Sequence, residues 1–133
     1  MISRALVLIA LATTLPSITL SQGLGPVMGR EFEFCEDRPL EPEWLENIRA
    51  QESYKRVLIQ MIYRAQSYRR VADAGECSCE TLFPPWEHAI QHFNDNYLSL
   101  EQFEAMQTRE EYRAEGEALR QSVRDLCEAE GHW

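Results

Sequence analysis

Apolar residues recur at spacings of three and four over three stretches of this chain, and proline, glycine and capping residues punctuate the intervals between them. The longest stretch follows Glu41-Pro42. A proline in a first helical turn has no N–H to lose, and Glu43 and Glu46 suit the positive end of the helix dipole. Trp44, Ile48, Gln51, Tyr54, Leu58, Met61, Ala65, Tyr68 and Ala72 form one stripe, widened by Val57, Ile62 and Val71. This predicts a single helix A from 41 to about 72, with Gly75 available to end it. Its tyrosine and methionine positions read as core rather than as a ligand surface.

Helix B is predicted from Pro85 to about Tyr97, with Trp86, Ile90, Phe93 and Tyr97 on one face. Two capping-box patterns follow, Ser99 with Gln102 and Thr108 with Glu111. Leu100, Phe103 and Met106 fall out of phase with Tyr112, Gly116, Leu119, Val123 and Leu126. A helix C with a kink or short break near Gln107, ending near Gly131, is therefore expected. Gly116 lies on its inward stripe, where a missing side chain allows close helix approach. The fold class is all-α, a small bundle of three main helices.

The chain before helix A changes the picture. Residues 22–40 hold Gly23, Gly25, Pro26, Gly29 and Pro39 with little periodicity, predicting an extended arm that lays Phe32 and Phe34 on the helical body. Residues 1–21 have the order of an export signal: Arg4, an uncharged apolar run from Ala5 to Leu15, then Pro16 and a small-residue stretch ending at Ser21. The apolar run is shorter than the about 20 residues that a spanning helix needs. The expected organisation is signal peptide 1–21, arm 22–40 and helical domain 41–133, with a periplasmic or secreted location and no stable membrane insertion after cleavage.

Four cysteines in a short exported chain read as a disulfide framework of Cys35, Cys77, Cys79 and Cys127. Cys77 and Cys79 sit in the stretch from Gly75 to Trp86, between helices A and B, while the other two lie near the ends of the mature chain. Four cysteines allow three pairings. Separate bonds from this central hub to Cys35 and Cys127 are favoured over a small Cys77–Cys79 ring. The bond from Cys127 to the hub is the more secure, with helix C taken to return antiparallel to helix A. About 30 helical residues span roughly 45 Å, so a bond from Cys35 to the hub requires extended arms folded back, or a break in helix A. The Trp-Cys-x-x-Cys pattern of disulfide oxidoreductases is absent, and redox activity is not expected.

Without Arg4 the mature chain carries 12 basic residues against 22 acidic ones, a net charge of −10. Nucleic acid and anionic membranes are poor partners for such a chain, because both need clustered Lys and Arg. The paired carboxylates, Glu101 with Glu104 and Glu110 with Glu111, lie in highly charged helical sequence and read as solvated surface rather than as an acid–base pair. Neither Gly-x-Ser-x-Gly nor His-Glu-x-x-His occurs. The sequence reads as non-enzymatic and implies no cofactor. One alternative chemistry stands out: His88 and His92 are a helical turn apart with Asp95 on the same face, a spacing that suits a transition metal. That face is opposite Trp86, Ile90 and Phe93 and is expected to be solvated, and His132, beside the terminal Trp133, is expected to be too mobile to join it.

The segment Cys77-Ser78-Cys79-Glu80-Thr81-Leu82-Phe83-Pro84-Pro85-Trp86, with Arg124-Asp125-Leu126-Cys127-Glu128-Ala129-Glu130-Gly131-His132-Trp133, resembles small exported proteins of bacterial conjugation and type IV secretion loci. The likeness rests on cysteine spacing with Pro and Trp. It implies a periplasmic accessory component that acts by contact with another envelope protein, and it transfers no functional residue.

Overall fold

The computed structural model describes residues 35–133. The expectations for the signal segment, for arm residues 22–34 and for Phe32 and Phe34 lie outside these residues. From Cys35 the chain runs through helix α1 (Glu43–Glu46), a 3-10 turn (Ala50–Glu52), α2 (Ser53–Ala74), α3 (Cys79–Leu82), α4 (Trp86–Asn96) and α5 (Gln102–Glu130). Among the described residues there is no strand, and no helix is long and apolar enough to cross a membrane.

Helix A is broken where one continuous helix was expected. Asn47 ends α1: its side-chain amide turns back and donates to the Glu43 carbonyl at 2.9 Å, and Arg49 is extended at ψ 144°. A short amide side chain that competes for backbone partners favours such an end over helix continuation. The break changes which side faces in. Leu45 is fully buried, whereas Trp44, placed on the stripe by the sequence pattern, is 54% exposed.

α2 is the central element, with α3, α4 and α5 all packed on it. Its buried residues Leu58, Ile59, Ile62, Ala65, Ser67 and Val71 form a band wider than one stripe because it has neighbours on two sides. Gly75 ends it in the left-handed conformation at φ 67°, its N–H bonding the Val71 carbonyl, as its sequence position predicts. Contacts along α2 fix the direction of α5. Tyr54 pairs with Leu100, Arg69 with Glu115 and Cys77 with Cys127, so the two helices run parallel. The antiparallel expectation is corrected here. α4 makes the return from the hub, and α5 climbs back toward it.

α5 is one unbroken helix through Gln107. The out-of-phase Phe103 and Met106 are exposed, and Ala105, 2% exposed, carries the inward phase on to Tyr112, Gly116, Val123 and Cys127. Neither predicted capping box is used. Glu104 accepts the Glu101 N–H at the helix start, and the Thr108 hydroxyl donates to the Glu104 carbonyl from inside the helix. Gly116 is buried toward α2, but a Cβ there would meet nothing nearer than Arg64 Cδ at 4.0 Å, so the approach is not close enough to require glycine.

Two disulfides join the ends of the described chain to the hub, Cys35 to Cys79 and Cys77 to Cys127, and no Cys77–Cys79 ring forms. Of the two routes to the Cys35 bond, the break in helix A is the one observed. Helix A breaks, and residues 35–41 run back beside α2 as a strap, with Glu41 at Arg56 and Gln60 and with Cys35 at the hub. The strap starts with a turn at the hub, where the Arg38 N–H donates to the Cys35 carbonyl at 3.2 Å, and Arg38 to Glu41 continue from it toward α1.

Candidate functional site

An open groove of about 640 Å³ lies between the strap, one face of α2, the hub and the last two residues of the chain. Its walls are aromatic. Tyr63 of α2 and Trp86 at the start of α4 are stacked, with ring centroids 4.0 Å apart and planes 9° from parallel. Trp86 is fixed from behind, because its indole N–H donates to the Pro39 carbonyl of the strap at 3.1 Å. Tyr68, five residues beyond Tyr63 on the helix, carries the Trp133 ring at 6.1 Å and 43°. Met61, Leu82 and Phe83 also line the groove. Met61 and Tyr68 thus border an open surface, where the sequence pattern assigned them to core.

Each wall has a local cause. Ser78 caps α3, accepting the Thr81 N–H while Thr81 accepts the Ser78 N–H, and this short turn sets Leu82 and Phe83 before two prolines. Pro84 is fully buried, and Pro85 precedes the first residue of α4 with extended backbone, which brings Trp86 against α2. Trp133 is placed by the end of α5. Gly131 adopts φ 83°, its N–H bonding the Glu128 carbonyl, and the His132 N–H bonds the Cys127 carbonyl at 2.8 Å. This paired arrangement is a Schellman motif. It turns the backbone of His132 and Trp133 back toward the hub and α2.

The polar side of the groove is unevenly committed. Glu41 accepts two bonds from Arg56, at 2.9 and 2.8 Å, and two more from Gln60 at 3.1 and 3.2 Å. The Arg56 guanidinium foremost, helped by Gln60, holds the Glu41 carboxyl below the usual carboxylate range against the opposing effect of burial. The Ser67 hydroxyl donates to the Tyr63 carbonyl. Burial raises the Tyr63 phenol, partly offset by Arg38. Arg64 is exposed at the groove and forms no ion pair with a described residue.

The proposed metal residues do not converge. His88 and Asp95 are exposed, and the Asp95 carboxylate accepts from Gln91. His92 is half-buried rather than solvated: its Nε2 lies 2.7 Å from the Tyr112 hydroxyl, which in turn lies 2.9 Å from the Tyr97 hydroxyl. Burial is the main cause that pushes the Tyr112 phenol far up, and the bond to Tyr97 adds to it. The sequence placed Tyr97 and Tyr112 on inward faces without showing that their hydroxyls would meet His92.

A different cluster of donor atoms exists at the end of the groove. The Cys35 and Cys79 sulfurs and a His132 ring nitrogen lie within 4.8 Å of one another. While the two sulfurs are bonded to each other they offer no thiolate to a metal. The Sγ of Cys79 is 4.0 Å from His132 Nδ1.

No family model, curated protein or solved structure matches this chain.

Proposed function

We propose that the protein is an exported, non-enzymatic interaction component that takes an extended segment of another envelope protein into the groove on α2, within a bacterial secretion or conjugation assembly. The observation that carries this reading is the pairing of aromatic walls with an uncommitted cation. Tyr63, Tyr68, Phe83, Trp86 and Trp133 present flat apolar surface at the edge of a buried core, and Arg64 stands among them with no carboxylate partner among the described residues. Aromatic-lined grooves suit extended, proline-containing peptides, whose low conformational entropy reduces the ordering cost of binding. An acidic residue in the segment would answer Arg64. Two disulfides in a small domain fit maturation in an oxidising compartment.

A photo-cross-linking residue placed at Met61 or Tyr68, in cells that express the protein naturally, should capture one envelope protein that the same residue at exposed Gln121 does not. A peptide from the captured segment should then bind the purified protein and shift its tryptophan fluorescence, with Arg64→Glu weakening it about tenfold. Capture that is equal from Gln121, or a captured segment that does not bind in isolation, would remove the groove from the function.

A further inference from the structure

The two disulfides differ in surroundings. Cys77 and Cys127 are 1% and 0% exposed and lie inside an apolar cluster with Val71, Leu82 and Val123. Cys35 and Cys79 are both half-buried, and solvent reaches each of them. Beside this second bond alone stands an imidazole, with His132 Nδ1 4.0 Å from Cys79 Sγ. The backbone that carries this ring is set by the turn at Gly131 and by the bond from the His132 N–H to the Cys127 carbonyl. We propose that the Cys35–Cys79 bond, with His132 beside it, is a site of thiol–disulfide exchange with an external dithiol protein, whereas Cys77–Cys127 is purely structural.

Position assigns the direction of attack. A thiolate of the incoming dithiol attacks Cys35 Sγ in line with the S–S bond, a new sulfur–sulfur bond forms there, and Cys79 leaves with the electron pair as thiolate. The His132 imidazole, 4.0 Å from Cys79 Sγ, relays a proton from solvent to that thiolate. The second thiol of the dithiol loses its proton and attacks the dithiol's own sulfur in the mixed disulfide, releasing Cys35, which is protonated in turn. The net change is two electrons and two protons from the dithiol to this protein. The dithiol ends as a disulfide, and Cys35 and Cys79 end as thiols. The step leaves the fold closed by Cys77–Cys127 and releases only the covalent end of the strap, which Pro39 and Glu41 still hold at Trp86 and Arg56.

The full oxidised protein, exposed at pH 7 to limiting dithiothreitol and quenched by alkylation at intervals, should label Cys35 and Cys79 at least about tenfold faster than Cys77 and Cys127. Brief treatment with glutathione, followed by alkylation, should leave the glutathione adduct on Cys35 and the alkyl group on Cys79. His132→Ala and His132→Gln keep the backbone turn, and both should slow the first phase about threefold or more without changing the second. Equal rates for the two bonds, an adduct on Cys79, or wild-type exchange in both His132 variants would overturn the assignment.

Discussion

Tyr63 and Trp86 stack face to face with ring centroids 4.0 Å apart, and the edge of the Trp86 ring is tied to the Pro39 carbonyl. One contact therefore joins α2, the start of α4 and the strap. Trp86→Phe should keep most of the stack and lose the bond to Pro39, costing about 1 kcal/mol. Trp86→Ala should lose both, costing about 2–3 kcal/mol for a half-buried large ring. Urea unfolding of the two variants separates the effects. A neutral Trp86→Phe would mean that the strap does not depend on this bond.

Glu41 gives the strap a pH dependence. Its carboxyl is held below the ordinary value by Arg56, so the folded pKa is lower than the unfolded one. The stabilisation is complete above the unfolded carboxyl value of about 4.3 and is lost as pH falls from there through the folded pKa. Glu41 is 12% exposed but Arg56 is 34% exposed, which screens the pair. Glu41→Gln should cost about 1 kcal/mol at pH 7 and nearly nothing at pH 2. An equal loss at both values would assign the effect to packing rather than to charge.

The phase of apolar residues made α4, most of α2 and the second half of α5 legible in the sequence, down to Gly75 at the end of α2. It failed where a residue without bulk or hydropathy decided the outcome. Asn47 ends α1 through its own amide, and Ala105 carries the inward phase of α5 that the larger Phe103 and Met106 obscure. The groove was legible only in pieces. Trp86 and Phe83 belong to the hub and Trp133 to the chain end, and their meeting depends on the parallel course of α5, which periodicity does not encode. The placing of His132 follows from a left-handed glycine one residue earlier, a local signal that sequence reading can use.

His92, Tyr112 and Tyr97 form a chain of hydrogen bonds between α4 and α5 at 2.7 and 2.9 Å. Tyr112→Phe leaves His92 Nε2 and the Tyr97 hydroxyl without this partner while the ring still packs. The expected loss is about 1–3 kcal/mol, the cost of stranding half-buried polar groups. His92→Ala combined with Tyr112→Phe should lose less than the sum of the two single changes, because the shared bond is counted once. Simple additivity in the double-mutant cycle would show that the 2.7 Å contact contributes nothing to stability.

The two disulfides close loops of similar length, with sequence separations of 44 and 50. Loop entropy alone therefore assigns them almost the same stabilisation, about 4 kcal/mol each. Their surroundings do not match, and the difference between paired variants isolates packing from entropy. Cys77→Ala with Cys127→Ala removes two sulfurs from a fully buried apolar cluster, while Cys35→Ala with Cys79→Ala removes two from a half-buried edge. Both pairs should destabilise the fold, and the buried pair should cost about 1–2 kcal/mol more, since each vacated site adds a cavity to the lost cross-link. In a domain of this size each kcal/mol lowers Tm by roughly 4–8 °C, so calorimetry resolves the two variants. Equal melting temperatures would leave chain entropy as the whole contribution of both bonds, and a lower one for the Cys35–Cys79 pair would make the strap, rather than the buried cluster, the limiting element of the fold.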